Sequence, residues 1–503
     1  MRKSVSRLLQ VAIPACLALP FSASAVDEIG LEVLAGTSGD ARFRNLFESP
    51  IDGPRLTEKL NQEELAAGRV PFSEVRRLGM LMFTTPFNKH DGFGDGAYDP
   101  TQPNRSEFTG NRPNIQNNGT FLRVNGLDAQ TCLECHTITS NATVPATLGV
   151  GGVGGISQNP MPGSALIDVS DSEQNGFARL NGRMINPPFL FGSGGVELVG
   201  LEMTQDLQEL REFARNNPGT PVALETKGVE FGTLVYQDGE FDTSNVHGIE
   251  EDLVVRPFGR KAEFETIRNF DVGATAFHFG MQATEFFGED FDHDEDGVLN
   301  ELTEGDLSAL SIFNTTMDRP FELPLDSEGR RGRALFEAIG CVDCHIPALE
   351  TNRRTLPYKI SGEPERPFED TFYEVDLTRR PMRFERNRTG GITVRMFGDL
   401  SSHDMGDELA ETSDIQTAQG QREFGTARLW GVADTAPYIH DGRALTIREA
   451  IEMHNGTGSE AAPRAQAFLA MSADDQAAVL RFLGSLRTPV RPNADVVPRF
   501  RRF

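Results

Sequence analysis

Two short stretches of this chain place a histidine directly after a pair of cysteines: Thr131-Cys132-Leu133-Glu134-Cys135-His136 and Gly340-Cys341-Val342-Asp343-Cys344-His345. Thiols at this spacing can close thioether bonds with two vinyl groups of one porphyrin, and the adjacent imidazole then meets the iron. Each stretch therefore reads as an attachment site for one haem c. Other uses of the same residues explain less. Two disulfides would account for the four cysteines of an exported chain but leave the two identically placed histidines without a purpose. A single Cys₄ zinc site would have to draw together two pairs far apart in the chain. No βαβ pattern surrounds either pair, which argues against a thioredoxin-like dithiol.

Two further groupings could hold a metal. Asp292, Asp294, Asp296 and Asn300 alternate around Gly297 as in the first nine positions of an EF-hand loop, a pattern of hard oxygens suited to calcium. Thr303 stands where that loop has its bidentate glutamate, so Glu301 or Glu304 would have to complete the site; the plain alternative is an acidic turn. His278 and Met281, one helical turn apart, could ligate an iron or simply pack in the core.

These groups need elements to position them. Before the second site, Leu335, Phe336 and Ile339 share one helical face and Gly340 follows as a stop, which predicts a short approach helix. Val75 to Phe83 resembles it, but Gly, Asn and Pro from Asn88 to Thr120 separate it from the first site. Pro221 to Phe241 is β-like, with Gln237-Asp238-Gly239 as the turn of a small hairpin. Thr446 with Glu449, and Ser472 with Asp475, read as capping boxes, the second opening a helix that buries Val479, Leu480, Leu483 and Leu486. A further helix is expected from Leu307 to Asn314. The fold class is mainly α: two cytochrome c-like haem domains, residues 26–305 and 306–503, with a small β-hairpin and long loops.

Composition bounds the partners. Asp and Glu number 74 against 48 Lys and Arg, a net charge of −26, which repels a phosphate backbone and argues against nucleic-acid binding. Arg2, Lys3 and Arg7, the apolar run Leu8 to Pro20 and Ala23-Ser24-Ala25 form a cleavable export signal over residues 1–25, which predicts a periplasmic or otherwise exported protein. Cys16 would leave with the signal; as an acylated cysteine it fits poorly after Pro14. No later stretch is apolar for long enough to predict a membrane span.

The chain resembles the dihaem oxidoreductases (putative peroxidases) of the bacterial dihaem cytochrome c peroxidase superfamily. The residues that carry the likeness are Asn300-Glu301-Leu302-Thr303, Gly332-Arg333-Ala334-Leu335-Phe336, Ser402-His403-Asp404-Met405-Gly406, Leu429-Trp430-Gly431 and His440-Asp441-Gly442-Arg443-Ala444. The resemblance implies two covalently bound haems c, with electrons from a small redox protein entering at the C-terminal haem and hydrogen peroxide reduced at the N-terminal one. In the family a distal ligand, usually methionine, follows the histidine of the His-Asp-Gly motif by fourteen residues. Here that position is His454, which implies ligation of the second iron by His345 and His454, with Met453 as the weaker candidate. His136 is then the proximal ligand of the first iron. The stretch Asn186 to Glu197 resembles the part of the family that ends in a pocket glutamate, which implies Glu197 as acid/base. Trp430 lies in a motif that packs near the C-terminal haem.

Two alternatives stay open. A dihaem oxygenase or substrate oxidase would use the same open haem on another molecule, with Phe189, Phe191 and Phe277 lining an apolar pocket. A pure electron-transfer cytochrome would have both irons six-coordinate and turn nothing over.

Overall fold

Each cysteine pair lies in a single 3₁₀ turn, Cys132–Glu134 and Cys341–Asp343. The structure is a computed structural model that describes residues 52–94, 122–124, 129–139, 182–184, 186–360, 362–410 and 420–497. The export signal, Cys16, the loop beyond Gly94 up to Thr120 and the tail Arg499 to Phe503 lie outside these residues.

A helix leads to each turn. Helix Ser327–Ala338 opens on Asp326, whose carboxylate accepts the Gly329 N–H at 2.8 Å. It closes where Gly340 takes φ +83°, a left-handed angle that glycine adopts without a Cβ penalty. Phe336 is buried on the face expected from the sequence, with Leu335 and Ile339 packed beside it. Helix Phe72–Thr84 leads to the first site and buries Val75, Leu78, Met82 and Phe83.

Each lead-in helix crosses a second helix at a glycine. A β-carbon on Gly79 would fall 2.0 Å from the Ala309 carbonyl oxygen of helix Glu304–Thr315. One on Gly332 would fall 1.8 Å from the Ala478 oxygen of helix Ala473–Leu483. Backbones can meet this closely only where a side chain is missing, so these two glycines set how each helix pair frames its cysteines.

Helix 304–315 begins at Thr303, which exchanges capping hydrogen bonds with Asp306, and it is buried along nearly its whole length. It packs on helices 72–84 and Ile267–Ala274, and its Leu310 and Asn314 line the pocket beside His136. Dividing the chain at 305 would separate two walls of that pocket. The helix therefore goes with the N-terminal segment, and the contacts hold Pro50–Phe503 together as one unit.

The 24-residue helix Ser193–Asn216 is absent from the sequence reading, because its opening Ser193-Gly194-Gly195 resembles a loop. The glycines are there for packing: β-carbons would lie 2.2 Å from the Thr315 oxygen at Gly194 and 2.4 Å from Phe384 at Gly195. Tertiary contact overrides the poor helix propensity of glycine.

The β-like run is larger than one hairpin. Val222–Thr226, Val229–Gln237 and Glu240–Val246 form a three-stranded antiparallel sheet, with Asp238 (φ +55°) and Gly239 (φ +92°) at the expected turn. The third strand is an edge whose Asp242-Thr243-Ser244-Asn245 carries no apolar alternation, which hid it from a pattern search. Five other small sheets tie down the loops among the described residues, so helices dominate but strand is more plentiful than expected. Leu486 pairs with Glu322 in one of these sheets instead of extending helix 473–483. Thr446 and Glu449 form their capping box in full, whereas Asp475 bonds the Ser472 hydroxyl and not its N–H.

Apolar side chains gather in three clusters. One includes Cys132 and Leu133, one includes Cys341 and Val342, and the third packs helix 193–216 on the three-stranded sheet. The crossings predict that Gly79→Ala or Gly332→Ala costs about 1–3 kcal/mol through overpacking, read as a lower denaturant midpoint at unchanged m-value. An exposed control such as Gly219→Ala, which meets nothing within 4 Å but has φ +77°, should cost less than either.

Candidate haem sites and the acid beside His136

Three histidines share one hydrogen-bonding pattern. His136 Nδ1 lies 2.8 Å from the Pro188 carbonyl oxygen, His345 Nδ1 3.2 Å from that of Phe397, and His454 Nδ1 2.7 Å from that of Ala450. A carbonyl only accepts, so each Nδ1 must carry the hydrogen and each Nε2 keeps its lone pair. This tautomer and anchoring are what a metal-ligating imidazole requires. Burial, with His454 close by, pushes the His345 pKa down to about 4, and burial lowers that of His454 as well. Both imidazoles are neutral at pH 7, ready to share one metal as the resemblance implied.

Burial also pushes the thiols of Cys132 and Cys341 up, the latter to about 12. They stay protonated, unlike the thiolates a zinc site needs. Two thiols, one anchored imidazole and an adjoining apolar cluster at each turn make a donor set that fits haem c.

The two turns differ in what faces the histidine. Beside His136 a pocket is lined by Phe83, Leu190, Phe270, Asp271, His278, Phe279 and Asn314, among others. Its aromatic wall is Phe83, Phe270 and Phe279; the expected trio Phe189, Phe191 and Phe277 does not line it, and Phe277 is exposed. His278 is presented by a turn of π-helix, Thr275–Phe279, that continues helix 267–274. Met281 is buried in the core next to Phe279 and does not line the pocket.

Asp271 is the acid of this pocket, and the sequence gave no reason to single it out. Its carboxyl accepts from Ser311 Oγ and Asn314 Nδ2, both at 2.9 Å from helix 304–315. Burial pushes its pKa up to about 8, so it holds a proton at neutral pH. The only sequence clue was an aspartate one helical face from His278, on a helix capped by Thr266.

Glu197 is buried but lines a neighbouring cavity with Ser311, Thr315, Tyr358 and Lys359, and not the pocket of His136. That cavity measures about 30 Å³, room for one or two waters. Its Oε2 accepts the Ile267 N–H at 2.8 Å, one of the unpaired donors at the start of helix 267–274. Burial raises the Glu197 pKa to about 8. Glu197 thus acts on the pocket through the helix that carries Asp271.

Around the second turn, His403 is close to Cys344 and Asp399 but is not a free ligand. Its Nε2 lies 2.9 Å from Asp399 Oδ2 and its Nδ1 2.9 Å from Glu460 Oε2. Burial would lower its pKa, but the Asp399 bond and the Cys344 sulfur raise it to about 11. His440 stacks on Phe424, and its carbonyl oxygen accepts the Asn186 N–H at 2.7 Å.

The two sites are joined by backbone. Phe397, whose carbonyl holds His345, also accepts from Leu429 N–H, and Trp430 N–H donates to Met396. A β-carbon on Gly431 would touch Phe189, the residue after the carbonyl that holds His136, and Trp430 covers Gly192. Trp430 is therefore packed between the segments that anchor both proximal histidines, with its Nε1 buried and unpaired.

Of the residues expected to bind calcium, Asp292, Asp294 and Asp296 come together, their ligand atoms within 4.8 Å of one another. Asn300 does not join them. Its carboxamide is engaged by Asp290, at 2.8 Å to both the backbone N–H and the carboxylate.

Comparison with known proteins bears on the C-terminal half. Residues 386–486 match the family model described as "Di-haem oxidoreductase, putative peroxidase". The cytochrome-c peroxidase IdrP2 of Pseudomonas sp. (strain SCT) is 26% identical over 204 residues, 36% of this chain and 50% of that protein. The chain thus spans half the length of that relative. Among solved structures, a MauG-like protein associated with microbial copper homeostasis overlaps 45% of this chain and 68% of its own at 17% identity and TM-score 0.25. Kuenenia stuttgartiensis hydrazine synthase overlaps 38% of this chain and 58% of its own at 16% identity and TM-score 0.21. By its family-model match and its curated relative, the chain belongs to the di-haem oxidoreductase, putative peroxidase family, with the recognised segment at residues 386–486.

Proposed function

We propose that this chain is an exported dihaem c-type enzyme that reduces hydrogen peroxide beside His136, using electrons that a small redox protein delivers at the His345/His454 site. Haem attached at Cys132/Cys135 and Cys341/Cys344 would supply the one-electron chemistry. The observation that carries the reading is the asymmetry of the two sites: a pair of neutral imidazoles at one, a buried protonated carboxyl at the other.

Reduction of peroxide to two waters consumes two protons and two electrons, so it needs a group that delivers a proton where water is scarce. Asp271 meets that need. Its proton is retained at neutral pH because burial disfavours the carboxylate, and Ser311 and Asn314 fix its orientation. Glu197 holds a second proton one layer further back, beside a cavity that shares Ser311 with the Asp271 bond. Its primary task is to hold the N-terminus of helix 267–274. Trp430 packs between the two anchoring segments and gives the electron path a conjugated side chain.

A second reading, the non-catalytic electron carrier, is favoured by one observation: His278 lines the same pocket as His136. If its imidazole filled the sixth position, Asp271 would have nothing to protonate. Absorption and electron paramagnetic resonance spectra of the oxidised and half-reduced protein separate the readings. A high-spin signal that peroxide removes, with turnover of an electron donor, supports the enzyme. Two low-spin signals that peroxide leaves unchanged in both redox states support the carrier.

Asp271→Asn should lower kcat for peroxide by about 10²–10⁴-fold with both haems still attached, whereas Glu197→Gln should cost less. Equal losses in the two variants, or none in Asp271→Asn, would show that the acid lies elsewhere. The same carboxyl has a pH signature. Its folded pKa lies above the unfolded value, so its contribution favours folding at low pH and is lost as pH rises from about 4 to about 8. Unfolding free energy measured across that range should fall less steeply in Asp271→Asn than in the natural protein.

A further inference from the structure

Most buried acids of this chain have a visible partner. Glu202 accepts from the N–H groups of Asn352 and Arg353 and pairs with Lys227, and Asp306 caps its own helix and pairs with Lys59. Asp294 is different: it is 2% exposed, and neither of its carboxylate oxygens has a hydrogen-bond donor. A buried carboxylate in this state is costly, since desolvation is offset by nothing.

Its neighbours make matters worse. Asp292 and Asp296 point oxygens at the same spot, all within 4.8 Å. The loop fixes that arrangement from within. Asp292 accepts from the N–H groups of Asp296 and Gly297 at 3.1 and 3.0 Å, and Asp296 accepts from Val298 N–H at 2.7 Å. These bonds occupy the outer carboxylates and leave Asp294 facing inward. Glu301 is also buried, held by Gln282 N–H at 2.7 Å. Burial and the three aspartates raise its pKa to about 10.

The geometry points to a calcium ion held by Asp292, Asp294 and Asp296, with Glu301 as the carboxylate that completes the site in place of the missing twelfth-position glutamate. Oxygen ligands from a flexible loop, three of them anionic, suit calcium better than magnesium, which demands a tighter octahedron and gives up its waters reluctantly. The EF-hand register also explains what does not take part. Thr303 at the twelfth position is committed to capping helix 304–315, and Asn300 is committed to Asp290.

The ion would fasten two walls of the His136 pocket. Gln282 follows directly on the π-turn that carries His278 and Phe279, and its side-chain oxygen accepts from His293 N–H at 3.1 Å. Leu302, at the other end of the loop, pairs with Gln282 and Thr284 and leads into helix 304–315. Closing the loop around a cation therefore fixes the distance between those two elements. This inference does not depend on peroxide being the substrate.

The test uses the full haem-containing protein, stripped with EDTA and then titrated with calcium or magnesium chloride. Calorimetry should find one calcium per chain. Calcium at about 100 times its Kd should raise Tm by about 3 °C, and magnesium at the same concentration by less than half as much. Asp294→Asn keeps the shape of the side chain and removes the repulsion, so it should unfold no earlier than the natural protein in EDTA and show no calcium shift. Asp296→Asn should weaken the shift in the same way and serves if the first variant does not fold. A natural protein whose Tm calcium does not move overturns the site, as does a shift of equal size in both variants. A magnesium shift as large as that of calcium overturns the choice of ion.

Discussion

Everything the two haem sites could do depends on one small interaction, the hydrogen bond from an imidazole Nδ1–H to a backbone carbonyl. It sets the tautomer, the ring plane and the direction of the Nε2 lone pair together. Pro188, Phe397 and Ala450 supply the three carbonyls, and none of them is in a cysteine motif. Ala450 needs only helix Ile447–Met453, since its carbonyl is one turn before His454. Pro188 and Phe397 are distant in sequence from the histidines they hold, so the rest of the fold must bring them there. Asn186 does this for Pro188, tied by its backbone and carboxamide to residues 437–440. Leu429 and Trp430 do it for Phe397. The segment from Ala436 to His440 and the Leu429-Trp430-Gly431 motif therefore look conspicuous in the sequence for a geometric reason: they hold the strands of chain that hold the histidines.

What could be read from the sequence was what is local. The Cys-x-x-Cys-His stretches, the lead-in helix ending at Gly340 and the capping box at Thr446 each lie within a dozen residues, and periodicity or capping chemistry marks them. His454 needed more, a known offset from His440, and its lone pair turns out to be held as a ligand's would be. The misses are all non-local. Helix 193–216 forms although it opens on two glycines, because Thr315 and Phe384 press on them. The third strand of the sheet is polar and exists because its neighbour offers a hydrogen-bonding edge. Asp271 matters because helix 304–315 delivers Ser311 and Asn314 to it, a crossing that no pattern in residues 267–274 announces. Glu197 was picked for its likeness to a pocket residue, and it sits one layer behind the pocket, where it satisfies a helix N-terminus.

The buried acids show how one physical problem is solved in different ways. Each carboxyl taken out of water must find donors, keep its proton or meet a cation. Glu202 finds donors and a lysine. Glu197 accepts a single N–H and Asp271 two side-chain bonds, and in both burial still wins, so both keep a proton near neutrality. Those protons are chemically useful in different degrees. The Glu197 proton faces a water-sized cavity closed off by Tyr358 and Lys359, whereas the Asp271 proton faces the pocket of His136. Proximity to the reacting centre, more than the size of the pKa shift, decides which of two equally perturbed acids can serve it.

Asp294 has neither option in full. Burial and the Asp296 and Asp292 carboxylates push its pKa up to about 7, so at neutral pH it is only partly protonated, beside two neighbours that are themselves held as acceptors by loop N–H groups. A loop that spends its backbone donors on orienting carboxylates toward each other stores repulsion, and nothing in the local packing repays it. The same loop bridges the π-turn of His278 and the helix of Asn314, two of the elements on which the Asp271 pocket depends. Repulsion at such a joint would loosen the pocket, so the arrangement makes sense only if a positive charge of the right size closes it. The electrostatics of the acidic loop and the geometry of the proton-bearing pocket are in this way one problem, solved at the short ladder between Gln282 and Leu302.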